Sequence, residues 1–198
     1  MYPFFKRLFD IAASVAGILV LTPLFIFLAI GVKFSSPGPV FFRQKRIGLN
    51  KKHFHMLKFR TMFNDAPHDI PTHMLKNPYV YITPLGRFLR KTSLDELPQL
   101  FNIFRGDMTI VGPRPALWNQ DDLASERDKY GANDVRPGLT GLAQIKGRDE
   151  LPIEIKAAYD GEYVEKMSLG FDCRILFYTV FSVTKGEGVK EGGGNMLR

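Results

Sequence analysis

The longest apolar run, from Ile11 to Val32, is 22 residues without a charge. At about 1.5 Å rise per residue it is long enough to cross a hydrocarbon core of about 30 Å. Pro23 sits at its middle, where a missing N–H and a ring opposed to the carbonyl of Leu19 predict a break. Thr22, just before it, carries a hydroxyl that can re-satisfy a freed backbone group. Lys6 and Arg7 flank the run on one side, and a basic stretch from Lys33 flanks it on the other. A spanning helix would place one basic flank on the wrong side of a membrane, whereas a helix-break-helix hairpin keeps both cytoplasmic. Length and composition allow either arrangement, and the flanks favour the hairpin. No small-residue cleavage site follows a short apolar region, so the run does not read as a signal peptide.

Beyond Ser35-Ser36-Pro37-Gly38-Pro39, a turn, the periodicity changes. Val40 to Gln44 and Phe54 to Met62 are β-prone and separated by Gly48-Leu49-Asn50, which predicts a hairpin. Alternation in the second strand puts Lys58 and Arg60 on one face and Leu57 and Phe59 on the other. Two cations pointing together are either a solvated edge or a phosphate clamp. Residues 64–80 hold three prolines and few apolar anchors, which suggests a mobile loop or lid.

A helix is expected to start close to Asp95, because Pro98 is tolerated only in a first turn and Leu97, Leu100, Phe101 and Phe104 recur at helical spacing. Ser93 with Glu96 matches a capping box, and this register competes with one in which Asp95 caps. Trp118 to Tyr130 reads as a polar surface helix and Ile153 to Met167 as another helix. Val135 to Arg148 is glycine-punctuated and either turns the chain or lets backbone approach a ligand. Phe171 to Thr184 is apolar but too short to span, so it either lies in an interfacial plane or closes the core. Gly186 to Arg198 has the composition of a flexible tail.

The net charge of +7 is unevenly placed. Lys33, Arg43, Lys45, Arg46, Lys51, Lys52, Lys58 and Arg60 fall in a stretch with no acid, so the rest of the chain sums to −1. Such local basicity points to an anionic surface or ligand near that segment. The lone Cys173 excludes an intrachain disulfide and fits a reducing compartment. His53, His55, His68 and His73 lack a zinc spacing. No nucleic-acid motif is present, and none is expected as partner.

Two adjacent carboxylates, Asp95 and Glu96, are bracketed by Arg87, Arg90, Lys91 and, further on, Arg114 within Gly112-Pro113-Arg114-Pro115. Acids at a helix start often only complement the dipole, so this stretch alone decides little. Four motifs in order change that: Lys58-Phe59-Arg60-Thr61-Met62, Ser93 to Leu100, Gly106 to Pro115, and Arg136-Pro137-Gly138-Leu139-Thr140-Gly141. Together with the proline-broken apolar start, they make the chain resemble the bacterial sugar transferase family, the monotopic phosphoglycosyl transferases. The match runs over essentially the whole chain, with Thr-Pro at the break where some members have Ser-Pro.

The resemblance implies transfer of a sugar 1-phosphate from a UDP-sugar to polyprenyl (undecaprenyl) phosphate at the cytoplasmic face of the bacterial inner membrane, with release of UMP. It implies Asp95 as nucleophile through a covalent sugar-phosphoryl intermediate, Glu96 as metal ligand or positioning group, and Mg2+ as cofactor. Arg90, Gln99 and Arg114 fall on positions near the phosphate, and Lys58 and Arg60 on active-site cations. For Arg136 and Arg148, also counted as substrate-binding candidates, a nucleotide contact and a structural pair both stay open. The physics agrees: a carboxylate is a competent nucleophile toward phosphorus, and Mg2+ is content with one or two carboxylates plus phosphate oxygens.

The expected fold is α+β, mainly helical with a small β-hairpin, in a monotopic membrane protein with interfacial amphipathic helices. Residues 1–36 would form the re-entrant hairpin broken at Thr22-Pro23, residues 37–185 the catalytic domain, and residues 186–198 the tail. A non-catalytic module binding anionic lipid is the rival reading, and the sequence leaves a homodimer open.

Overall fold

A computed structural model describes residues 2–67, 75, 77–147 and 151–185. About half of the expected lid, and all of the C-terminal tail, therefore lie outside the described residues. The apolar run is the body of one helix, α1, Tyr2–Ser35, about 51 Å long at the usual rise. Helical structure continues through Pro23 and does not stop there. Beside the bond that Pro23 cannot make, the Thr22 hydroxyl donates to the Ile18 carbonyl at 2.7 Å. α1 is fastened to the rest of the protein at both ends. Near its start Asp10 is buried and accepts from the Thr109 hydroxyl at 2.7 Å and from the Ile110 N–H at 3.0 Å. Arg7 donates to the carbonyls of Ile103 and Phe104, and Lys6 pairs with Asp172. Near its end Leu28 and Val32 are buried against Phe59 and Leu89. Phe4, Phe5, Leu8, Leu19, Val20, Phe27 and Phe34 remain exposed and give α1 an apolar surface.

Strands β1, Phe41–Ile47, and β2, His53–Phe59, pair antiparallel over seven residues each. The first strand runs three residues further than its apolar pattern indicated. The second stops at Phe59, and Met62 makes only an isolated bridge to Ile82. The hairpin tip is pinned where the Asn50 N–H donates to the Asn133 carbonyl at 2.8 Å. A helix missed in the sequence, α2, Pro84–Lys91, follows. Its signal was present: Thr83 caps it by accepting from the Gly86 N–H, and Pro84 takes the first position.

The acidic stretch differs from expectation. Residues Leu94–Glu96 form a 3-10 turn, and the α-helix, α3, is Gln99–Arg105. Neither Ser93 nor Asp95 caps it; Ser93 is left-handed at φ 57° and makes no side-chain cap. The proline explains the delay, because Pro98 stands at the position before the first α-helical residue, where its absent N–H costs nothing.

A short strand, β3, Thr109–Val111, pairs in parallel with β4, Gly138–Thr140, a second two-stranded sheet. The glycine-punctuated segment thus turns the chain by lying against the backbone of Gly112-Pro113. A Cβ at Gly138 would fall 2.2 Å from the Gly112 nitrogen, so only glycine fits. Helix α4, Asp121–Asp128, is shorter than the expected span, and it is not all surface. Leu123 and Ala124 pack on Ile47 and Ala116. Helices α5, Leu142–Lys146, α6, Ile153–Lys166, and α7, Leu169–Lys185, complete the fold. The core-closing reading of α7 holds, and its other side is left apolar and exposed. Ile175 is buried with Val111, Leu142 and Tyr163, while Leu169, Phe177, Val180 and Phe181 are exposed.

The buried carboxylate of α1 supplies a test. Asp10→Ala strands the Thr109 hydroxyl and the Ile110 N–H, and is expected to cost on the order of 2–4 kcal/mol. Thermal unfolding in detergent should show the loss, and limited proteolysis should release the start of α1. Asp10→Asn, which keeps one acceptor oxygen, is expected to cost less.

Candidate active site

The turn carrying Asp95 and Glu96 is fixed by its neighbours. In a 3-10 turn residues three apart share a face, and Leu94 and Leu97 both pack into the cluster of Leu28, Val32, Phe59 and Leu89. Glu96 meets cations from two other parts of the chain. Lys58 Nζ donates to Glu96 Oε1 at 2.7 Å, and Arg114 Nη2 donates to the same oxygen at 3.2 Å. Lys58 comes from β2, one residue before the buried Phe59. Arg114 comes from the loop after β3, and its own carbonyl accepts from Arg127 Nη2 at 3.0 Å. Arg127 is in turn buried in an ion pair with Asp160 at 2.5 Å. Arg46 donates to the neighbouring Pro115 carbonyl at 2.9 Å and to Gln44 Oε1.

The two carboxylates are pushed apart electrostatically. Burial raises Asp95, which is 8% exposed, to about 6. Lys58 pulls against that rise, Glu96 adds to it, and Arg90 and Arg114 oppose it. Burial pushes Glu96 upward too, but its ion pairs and hydrogen bonds with Lys58 and Arg114 outweigh that and hold it below the ordinary carboxylate range. Glu96 is therefore the fixed anion and Asp95 the carboxylate that titrates near neutrality, a division of roles set by environment.

Lys58, Glu96 and Arg114 thus stand together beside Asp95, with Arg90 acting on it through space. Gln99, one turn into the chain beyond Asp95, is buried with its Nε2 lacking a hydrogen-bond partner among the described residues. Such an orphaned donor suits a phosphate oxygen. Arg60 goes elsewhere. Its guanidinium is buried and donates to the carbonyls of Val32, Ser36 and Pro37, where α1 ends. The alternation that grouped it with Lys58 ends with β2. Gly38, at φ +128°, leaves room for it, since a Cβ there would lie 2.2 Å from Arg60 Nη1. Arg136 donates to the Gly106 carbonyl at 3.0 Å, beyond the far end of α3 and near Arg7. Arg148 lies outside the described residues. Arg127, Asp160, Gln44 and Arg46 were not found from sequence. Asp160 had a signal, a carboxylate three residues from the buried Ala157 on the core face of α6.

An acid pair with opposed proton affinities, set among cations at the edge of an apolar surface, suits a transferase that handles phosphate esters. Sequence comparison agrees with that class. The chain belongs to the bacterial sugar transferase family, whose model matches residues 1–186. It is 39% identical over 197 residues to the exopolysaccharide production protein ExoY of Sinorhizobium fredii, a match covering 92% of this chain and 87% of the relative. It is 41% identical to the UDP-glucose:undecaprenyl-phosphate glucose-1-phosphate transferase of Caulobacter vibrioides, over 90% of this chain and 69% of that protein. An Escherichia coli protein of the same description is 40% identical, and there the match covers 89% of this chain but 39% of the longer relative.

The opposed carboxylates make stability depend on Asp95. A folded-state value near 6 against an unfolded value near 3.8 means that its contribution is greatest below pH 4 and is lost as pH rises through 6. Asp95→Asn is therefore expected to stabilise the protein at pH 7.5 by about 1–3 kcal/mol. The gain should vanish by about pH 4. Denaturant unfolding at the two pH values checks both the sign and the window.

Proposed function

We propose that this chain transfers a sugar 1-phosphate from a UDP-sugar to polyprenyl phosphate at the cytoplasmic face of a bacterial inner membrane, through a phosphoryl-aspartate on Asp95. The observation that carries this reading is the division between Asp95 and Glu96 on a turn whose leucines sit on α1. An ionised Asp95 oxygen attacks the sugar-bearing phosphorus, the bond to the UMP phosphate oxygen breaks, and UMP leaves. The phosphate of the lipid then attacks the same phosphorus, the acyl-phosphate bond breaks, and the Asp95 carboxylate returns. Lys58, Arg90 and Arg114 offset the charge of the diphosphate, and the Gln99 amide offers a further donor. Splitting the displacement lets a water-soluble donor leave before a lipid acceptor arrives.

Mg2+ fits this site in a limited way. Among the described residues no three His, Cys, Asp or Glu side chains group as a metal site. Glu96, with Asp95 beside it, would hold an ion that takes its remaining ligands from the donor phosphates and water, and that ion would neutralise charge on the diphosphate. UDP-glucose is the first donor to test, because it is named in the description of relatives about 40% identical.

The membrane arrangement proposed is the re-entrant one. Residues at both ends of α1 touch the same folded body, from Lys6 and Asp10 to Val32. That supports placing both flanks on one side of the bilayer, with the exposed apolar faces of α1 and α7 in lipid.

With UDP-glucose and no acceptor, about one UMP per protein should be released and a hexose-phosphate mass should appear on Asp95. Asp95→Asn should lower turnover by at least about 100-fold. UMP release should rise with pH up to about 6 and then level, since the attacking form is the ionised one. UMP appearing only after lipid is added would replace the covalent route by direct transfer. Topology is tested separately, with Pro3→Cys or Pro37→Cys in a Cys173→Ser background in intact cells. Neither position should react with a membrane-impermeant thiol reagent from outside.

A further inference from the structure

We propose that a cationic cavity on the hairpin face opposite the active site binds the headgroup phosphate of an anionic phospholipid. Much of the basic stretch is committed elsewhere: Lys58 to Glu96, Arg60 to the end of α1, Arg46 to Pro115, and Lys51 to Asp128. Arg43 has a different setting. With His55, Leu57 and Arg105 it lines a cavity of about 330 Å³. In the ladder Arg43 faces Leu57, and Lys45 faces His55, so these four share one face of the hairpin. Lys58 pairs with Phe42 and therefore presents on the other face. Arg105 is brought in by α3. Asn102, one turn earlier, accepts from the Leu57 N–H at 2.9 Å and donates to the His55 carbonyl at 2.8 Å, which locks α3 along the edge of β2.

Two guanidiniums lining one cavity, with no acid among its lining residues, suit an anion with several acceptor oxygens. The apolar neighbours of the two arginines point to which anion. Phe41, 40% exposed, stacks on Phe59, which packs on Leu28 and Val32 of α1. Arg43 lies two residues beyond Phe41 on the same face, about 7 Å further along the strand. Phe104, 49% exposed, has its carbonyl held by Arg7 of α1, and Arg105 is the next residue. Each arginine therefore lies within two residues of an exposed phenylalanine tied to α1, Phe41 through Phe59 and Phe104 through its carbonyl bond to Arg7, the pairing of aromatic and cation that suits the headgroup region of a bilayer. The acceptor lipid is the other source of a lipid phosphate. Bound here it would be on the wrong face of the hairpin to reach Asp95. This inference rests on the reading that the exposed face of α1 contacts lipid.

The test is native mass spectrometry of the full chain from detergent, titrated in parallel with phosphatidylglycerol, phosphatidylcholine and undecaprenyl phosphate. One phosphatidylglycerol should be retained in preference to phosphatidylcholine. Arg43→Gln with Arg105→Gln should weaken that retention by about thirtyfold, and Arg105→Lys by much less. Arg43→Gln alone, at an exposed strand position, is the second variant should the double one fail to fold, and it should still lower retention severalfold. Equal retention by wild type and the folded variants would overturn the proposal, as would loss of undecaprenyl phosphate but not phosphatidylglycerol. Excess inorganic phosphate should compete only weakly, and complete displacement by it would assign the cavity to a free anion instead. UMP release is a separate readout. Release without lipid retention would sink this site alone, and retention without release would sink the transferase reading alone.

Discussion

Glu96 Oε1 accepts from Lys58 and Arg114 at once, and that shared contact joins three remote pieces of chain into one site. Strand β2 and the acidic turn also meet through Phe59, Leu94 and Leu97, but only at Glu96 do both meet the loop after β3 through charged side chains. A partly buried ion cluster contributes little net stability, because desolvation offsets most of the attraction, but it fixes geometry by penalising any arrangement that leaves one charge unpaired. The same cluster defines the chemistry next door. With its cations drawn chiefly to Glu96, Asp95 is governed by burial, which raises its proton affinity above that of an exposed carboxylate.

The opposite side of the acidic turn is apolar, and there Leu94 and Leu97 rest on α1. Lys58-Phe59-Arg60 repeats this division in three consecutive residues. Lys58 pairs with Glu96, Phe59 joins the cluster under α1, and Arg60 ties off the carbonyls at the end of that helix. One short segment therefore sets both the position of a cation in the site and the position of the apolar helix against it. Chemistry and apolar boundary are held in register by sequence neighbours. The Arg127–Asp160 pair does the corresponding work from the far side, where it holds the backbone of Arg114.

Several parts of this arrangement were legible in the sequence. The long apolar helix, the hairpin, α6 and the acidic pair each follow from spacing or residue type. What could not be read was partnership across distance. Nothing local says that Lys58 reaches Glu96 while Arg60, two residues on, turns to the end of α1, because strand alternation gives a face but not where the strand stops. The two-stranded parallel sheet was hidden because β3 and β4 are three residues each and one begins at a glycine, so neither shows periodicity. The start of α3 was misplaced because two plausible caps lay upstream and only the proline marked the true boundary. In α1 the proline was read as a break, yet helical structure continues past it.

Asp10 gives α1 a history as well as a place. Its two partners, Thr109 and Ile110, lie 99 and 100 residues further along the chain. On the ribosome the helix is made long before they are, so its first third carries this carboxylate without them while some hundred residues are added. A charge in that condition is kept out of apolar settings, which penalise it heavily. The start of α1 therefore cannot settle in its final position until β3 exists to receive it, which makes the seating of this end wait on a remote part of the chain.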